Sequence, residues 1–545
     1  MRRSSLLVVL LAALAFSSSA AASPLFVLSG RGWGHGIGMS QYGAQGFALH
    51  GWTHQQILAH YYRNTALGSA TGPARVLLTS GRSRFTLASP ATISGAGKLL
   101  AAGSYTVTRS GSTVLAGGKS FPSGTKFTSS RLLSVDGSRY RGRIQVFAGS
   151  GLAVVNELNI DSYVQGVVPN ESPASWHPEA LQTQADAARS YALAAGGHCG
   201  SALVGANVLC RGTSDQVYGG FESEEDTTNA AVAATRGEVV TYGSPARIAT
   251  TFSFSTSGGS TVNKAEEWGG SDVSYLQTEG DPYDNISPHH RWGSTDAEED
   301  CPGGPRDCVY TAAGMSDRLG IARIRDLSVG ARNSGNRVER VDIGTPGGTA
   351  TRTGAQIRSE LGLRSTWFSI GVLNIAPSKR KSACRTRVRL DVTSRNVAGV
   401  TLQQRPVTGG AWQNLATEPA GADSFSFVHR PCQSTIYRLT SSAANGANVQ
   451  VNVAPLILFN ETQPAGGTAL KGTVRPLSMA GRTVKVDRKR ADGTWRLVGT
   501  ATVATDGTWK AVFQVAEGVY RARITPPSGS GLVPGVSPPL TVTFH

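Results

Sequence analysis

Apolar positions recur at helical spacing between residues 178 and 195, where Leu181, Ala185, Ala188 and Ala192 mark one face. Pro178 suits the first turn of such a helix, and Gly196-Gly197 suits its end. The many alanines imply close packing against a neighbour. A second helix is expected from His54 to about Arg63, with Thr53 as its cap and Ile57, Leu58, Tyr61 and Tyr62 on its apolar side. A third is expected near Thr227–Thr235. Alternating runs predict strands at Arg75–Thr79, Tyr105–Thr108 and Arg143–Phe147, punctuated by Gly and Ser. Residues 236–280 read as a return to strands. After a Pro/Ser/Lys-rich break near Ala376–Ser382 the texture changes to short strands with regular turns. Two stretches there repeat weakly: Val400–Arg405 with Trp412, Phe425, Phe427 and Tyr437, then Val484–Arg488 with Trp495, Trp509, Phe513 and Tyr520. Both read as β-sandwich modules of the immunoglobulin/fibronectin kind, over 383–453 and 454–545, with the tryptophans packed in their cores.

At 545 residues the chain exceeds what one hydrophobic core serves, so several domains are expected. The fold class predicted is α+β: a β-rich core with a central helix over about 24–372, followed by the two all-β modules. Within that core the reading divides 24–72 (a Gly/His-rich segment plus helix), 75–168 (β-rich) and 169–372. Residues 1–22 have the pattern of a cleavable secretory signal: Arg2 and Arg3, an apolar run from Leu6 to Phe16, then small residues around Ala20-Ala21-Ala22. The apolar run is shorter than the ~20 residues of a membrane span. The expected location is therefore the cell exterior or the wall.

The six cysteines fall into local pairs, Cys199/Cys210, Cys301/Cys308 and Cys384/Cys432. In an exported chain an even count suggests disulfides, and this pairing keeps each bridge inside one module. A net charge of +16 predicts attraction to anionic polymers. Export argues against nucleic acid and for anionic wall polymers, with a merely solvated basic surface as the alternative.

Two clusters could carry chemistry. Gly32–Ala44 interleaves glycines with Trp33, His35, Ser40, Gln41 and Tyr42, a composition for tight turns lining a polar cleft, or for a structural turn alone. Val167–Ala180 places Glu171 between Pro169 and Pro173, so the loop holds that carboxyl in a fixed place. Glu179 lies in the first turn of the long helix, where a carboxylate simply suits the dipole.

These residues, with Tyr140-Arg-Gly, Val155-Asn-Glu-Leu, Asp161-Ser-Tyr, Gly166-Val-Val-Pro, Ala187-Ala-Arg-Ser-Tyr191, Asp215-Gln-Val-Tyr218, Ser255-Thr-Ser-Gly-Gly259 and Glu267-Trp268, resemble the stage II sporulation protein D / amidase-enhancer family. The resemblance covers about 24–372 and leaves out the C-terminal modules. In the family's usual order the His-Gly-x-Gly-Met-Ser-Gln-Tyr string comes last, after a stretch like Leu361–Ser365. Here it comes first, as in a circular permutation. The resemblance implies action on peptidoglycan glycan strands. It implies a lytic transglycosylase with Glu171 as its single general acid/base, cleaving between MurNAc and GlcNAc in wall remodelling, with sporulation or vegetative growth left open. The alternative it implies is a non-catalytic amidase enhancer that binds glycan and stimulates a separate cell-wall amidase. A third reading is a structural wall protein acting through its basic β modules. Arg189, His35, Ser40, Gln41, Tyr42, Ser255 and Ser257 are the expected substrate-binding residues, with a structural ion pair as the alternative for Arg189. Some relatives hold zinc just before the Gln-Val-Tyr string. Here Ser214 and Asp215 stand there without metal-ligand spacing, so no metal or cofactor is expected.

Overall fold

The long helix forms over Pro178–Ala195. His177 caps its start by accepting from the Glu179 N–H, and Gly196 ends it in the left-handed conformation at φ 72°. It is buried on most sides rather than along one stripe. Helices Gln41–Leu49, His54–Tyr61 and Asp226–Ala234 all pack on it, and its alanines allow that close approach. His54–Tyr61 begins with a full capping box between Thr53 and Gln56. The His54 backbone and ring bond Glu179, which ties this helix to the start of the long one.

The computed structural model describes residues 23–293, 308–460 and 467–543. The expected signal segment, Cys301 and its pairing with Cys308 lie outside them. Among the described residues no helix is long and apolar enough to cross a membrane. Disulfides join Cys199 to Cys210 and Cys384 to Cys432.

The architecture is mixed α+β, strand-rich, with several open sheets. A seven-stranded sheet is centred on Leu152–Asn159, which is buried along nearly its whole length and pairs with Pro73–Arg82 and Arg143–Ala148. A six-stranded sheet with Phe85–Ser89 and Gly103–Ser110 shares its core with the seven-stranded one. Strand Leu25–Arg31 pairs antiparallel with Phe368–Pro377, Leu25 opposite Leu373 and Gly30 opposite Phe368. Phe368–Pro377 continues past that contact to pair with Val388–Thr393, so hydrogen bonding runs through the Pro/Ser/Lys-rich break.

Residues 236–280 depart from the strand expectation. Only Glu238–Tyr242, Arg247–Ile248 and Ser253–Phe254 are strands, and Lys264–Trp268 is a helical turn. The physical reason lies in the Ser, Thr and Asn side chains, which bond the local backbone in place of a ladder. Asn263 accepts from the Ala265 N–H, and Ser257 from the Gly259 N–H.

Beyond Phe368–Pro377, sheets Lys381–Ala383/Val449–Ala454/Thr435–Thr440/Thr401–Pro406/Gln413–Thr417 and Val388–Thr393/Ser424–His429 share one buried cluster that also takes in Leu25 and Val27. A second cluster, around Trp509 and Tyr520, lies between the last two sheets. Trp509 is buried, as expected for a core tryptophan, but Trp412 and Trp495 are not core residues. Each lies half-exposed with guanidinium groups over its ring.

Candidate functional site

The glycine-rich segment folds as an edge laid along residues 252–262. The Trp33 N–H donates to Thr256 O and the Thr256 N–H to Trp33 O, at 2.8 and 3.1 Å. Met39-Ser40 pairs in parallel with Ser253-Phe254, and the Val262 N–H donates to Gly36 O at 2.8 Å. Two glycines show why side chains are excluded. Gly36 sits at φ +85°, and a Cβ there would come 2.3 Å from the guanidinium of Arg337. A Cβ on Gly43 would come 2.0 Å from the Tyr61 hydroxyl and 2.3 Å from the Asp281 carboxylate.

This edge forms one wall of a cleft of about 680 Å³. Trp33, His35 and Gln41 come from the glycine-rich segment, Glu171 from the Pro-bounded loop, Ser214–Val217 from the Gln-Val-Tyr string, and Phe252–Ser255 and Trp268 from the irregular segment. Segments far apart in sequence thus meet in one place.

Glu171 ends the short helix Val168–Glu171. Its Oε2 accepts from Gln41 Nε2 and its Oε1 from the Val217 N–H, both at 2.9 Å. The carboxylate therefore clamps two walls of the cleft to each other. His35 Nδ1 accepts from the Ile37 N–H at 3.0 Å, and its Nε2–H donates to Ser253 O at 3.2 Å. Burial first, then the charge of Arg337, pushes its pKa down to about 3. His35 is thus a neutral ring with both nitrogens engaged, packed against Trp268 at 4.8 Å and Phe254 at 5.2 Å.

The other expected binding residues separate. Ser255 lines the cleft. Ser40 is buried and caps helix Gln41–Leu49 by accepting from the Gly43 N–H. Tyr42 packs on Trp176, with ring centroids 5.0 Å apart. Ser257 is buried and donates to Asp284 Oδ2 at 2.8 Å. Arg189, expected to bind sugar, is placed instead inside the fold with none of its surface exposed. It donates to Asp161 Oδ1 at 2.9 Å, Asp186 Oδ1 at 2.8 Å and Glu238 O at 2.9 Å. A helix packed on most of its sides turns this position inward.

One residue of the site, Arg337, escaped the sequence reading, and Asp215 and Trp268 entered it without a role at the cleft. Arg337 is fully buried, donates to Gly34 O and Thr366 Oγ1, and supports the glycine-rich segment from behind. Asp215 gathers the Cys210 N–H, the His198 N–H and ring, and the Tyr191 hydroxyl. Burial raises its pKa, but these donors outweigh burial and lower it overall. The Cys199 and Cys210 sulfurs beside it are bonded to each other, so neither is a thiolate ligand. Trp33 and Trp268 remain 42% and 48% exposed at the rim, a poor use of tryptophan unless a ligand covers it. Only a family motif marked Trp268 and Asp215, and nothing local marked Arg337.

Behind the cleft, Asp281 and Asp284 are both buried. Asp284 is satisfied by Ser257, the Gly258 N–H and His290. Burial, and then the charge of Asp284, push Asp281 up to about 7. A carboxyl raised above its unfolded value of 3.8 gives stability that is fully present below that value and is lost as pH rises through about 7. Between pH 4.5 and pH 8 this loss is about 3 kcal/mol, and Asp281→Asn is expected to flatten it. The check is denaturant unfolding of both proteins at pH 4.5 and pH 8. An unchanged pH slope in the variant would remove Asp281 as its source.

Residues 148–242 match the family described as Stage II sporulation protein (SpoIID). The chain is 28% identical over 242 residues to the amidase enhancer of Bacillus subtilis (strain 168), covering 40% of this chain and 32% of that protein. It is 30% identical over 226 residues to stage II sporulation protein D of the same organism, covering 39% and 61%. It is 36% identical over 161 residues to an uncharacterised protein of Brachyspira hyodysenteriae, covering 29% and 41%. The chain thus spans between 32% and 61% of the length of these relatives.

These names correct the expectation of an enzyme, a lytic transglycosylase with Glu171 as acid. Neither name is that of a lytic transglycosylase, and Glu171 itself has both oxygens tied into the cleft wall. Over part of its length, and at moderate identity, the chain is supported as carrying a domain of the stage II sporulation protein D / amidase-enhancer family.

Proposed function

We propose that the protein is an exported, non-catalytic wall factor that holds peptidoglycan glycan in the cleft and presents it to a separate wall hydrolase. The observation that carries this reading is the pairing of two exposed tryptophans at the rim with a carboxylate used as a structural clamp. Aromatic faces suit the C–H faces of sugar rings, and the polar edges of Ser214, Gln216 and Ser255 suit hydroxyl and N-acetyl groups. The name of the Bacillus amidase enhancer favours a hydrolase of the amidase class as the partner.

The order of the segments is read as a circular permutation. Its support is spatial: the Gly34 N–H donates to Arg364 O and the Arg31 N–H to Trp367 O, so the glycine-rich string lies where a continuation of Leu361–Ser365 would lie. Residues 24–372 form the glycan-handling core in this reading. The segments 383–453 and 454–545 are two immunoglobulin-like sandwich modules.

The test incubates purified peptidoglycan with the full chain, with a purified N-acetylmuramoyl-L-alanine amidase, and with both. The expected outcome is no soluble glycan product from the chain alone, retention of the chain on the insoluble wall, and several-fold faster peptide release by the amidase when the chain is present. Anhydro-MurNAc ends from the chain alone, or wall binding with no effect on the amidase, would overturn the proposal.

A further inference from the structure

The positive charge of this protein is concentrated at one end. Residues 374–545 hold 21 Lys and Arg against 8 Asp and Glu, a net +13 out of +16 for the whole chain. Residues 1–373 hold 31 against 28 and are close to neutral. The glycan cleft thus belongs to a nearly uncharged part, and attraction to polyanions belongs to the other.

Within the basic part the free charge has a definite place. In the sheet built on Thr401–Pro406 and Thr435–Thr440, Leu402, Tyr437 and Leu439 face the buried cluster. The intervening residues Gln403, Arg405 and Arg438 take the opposite face. The guanidinium carbons of Arg405 and Arg438 lie 4.7 and 4.0 Å from the centroid of the Trp412 ring. Arg438 Nε donates to Gln403 Oε1 at 2.9 Å, and Gln403 Nε2 donates to Asn414 Oδ1 at 2.8 Å. The Arg405 Nε is buried and has no hydrogen-bond partner. Among the described residues neither guanidinium lies against a carboxylate. The corresponding face of the last sheet differs. There Arg521 and Arg523 both bond Asp487, so their charge is partly spent within the protein.

We propose that the Trp412 face binds a phosphodiester-linked wall glycopolymer. Two guanidinium forks held by an indole ring match phosphate oxygens, and the amides of Gln403, Asn414, Gln450 and Asn452 on the same sheet match the hydroxyls between phosphates. The inference rests on the wall location proposed above, but its site is separate from the cleft. The protein then has two grips on the wall, one for neutral glycan and one for its anionic partner polymer.

The experiment uses the full chain and measures affinity for purified poly(glycerol phosphate) wall polymer at 50 and 200 mM salt. Polygalacturonate serves as a carboxylate polyanion, and wall stripped of phosphate polymers as neutral glycan. Arg405→Gln/Arg438→Gln is expected to weaken binding to the phosphate polymer at least tenfold and to reduce its salt dependence, with binding to stripped wall unchanged. Arg405→Lys/Arg438→Lys keeps the charge without the forks and is expected to fall between the two. Trp268→Ala, in the cleft, is expected to leave polymer affinity intact, so failure of the glycan reading and failure of this one are distinguishable. Wild-type affinity in the Gln variant, or equal affinity of the wild type for polygalacturonate, would overturn the proposal.

Discussion

Arg189→Ala is expected to destabilise the fold by about 3–5 kcal/mol, a large share of the ~5–15 kcal/mol that holds a domain together. The cause is what remains rather than what is lost. Asp186 is buried and Asp161 nearly so, and both rely on one guanidinium. Burial already pushes Asp186 up to about 7, with Arg189 acting in the opposite direction. Removing the cation leaves a buried carboxylate beside Glu238, with only the His54 ring, 3.9 Å from Asp186 Oδ2, left to offset it. Lysine should not restore stability, because one ammonium cannot reach Asp161, Asp186 and Glu238 O in the geometry the guanidinium spans. Thermal and urea unfolding of both variants check this. Normal stability in Arg189→Ala together with lost glycan binding would mean that the side chain works in recognition after all.

Trp268→Ala is expected to act in the opposite way, reducing affinity for glycan about tenfold, or ~1.4 kcal/mol, with little change in stability. The ring is 48% exposed and packs on His35 and Phe252 from the cleft side, so its removal leaves the core intact. Trp33→Ala/Trp268→Ala should lose more than either single variant, since the two rings form the apolar part of the rim. Stimulation of a wall amidase should fall in proportion to the lost affinity. Sedimentation with insoluble peptidoglycan and peptide release measured side by side provide the check. Unchanged sedimentation would show that glycan does not lie across these rings.

What could be read in the chain depended on how local the cause was. The long helix was legible to the residue, since Pro178 and Gly196 lie at its ends and its alanines repeat within it. The glycine-rich segment was legible as a run of tight turns, and four of its glycines take positive φ values that other residues avoid. Arg337 was not legible. Its reason for existing is the space over Gly36, some three hundred positions away in the sequence. The irregular path of residues 255–281 was also hidden, because the competing bonds come from serines and threonines that fit a strand equally well by composition. Glu171 was found as a fixed carboxyl, but what fixes it is the Val217 N–H and Gln41, which no spacing within its own loop reveals. Arg189 showed the converse: its motif was visible, yet only packing around the helix decides that it points inward.

The pairing of Leu25–Arg31 with Phe368–Pro377 has a consequence in time. The strand that precedes the glycine-rich segment can pair on one edge with Arg291–Gly293 and Val309–Thr311, but its other edge has no neighbour until residues 368–373 have been made, and the Gly34 N–H likewise waits for Arg364. Contacts this distant in sequence close late in folding, because the long loop between them must be ordered first. This edge of the cleft therefore depends on residues made late in the chain. A chain still being synthesised lacks this edge, and acquires it only when the two far ends of the core meet.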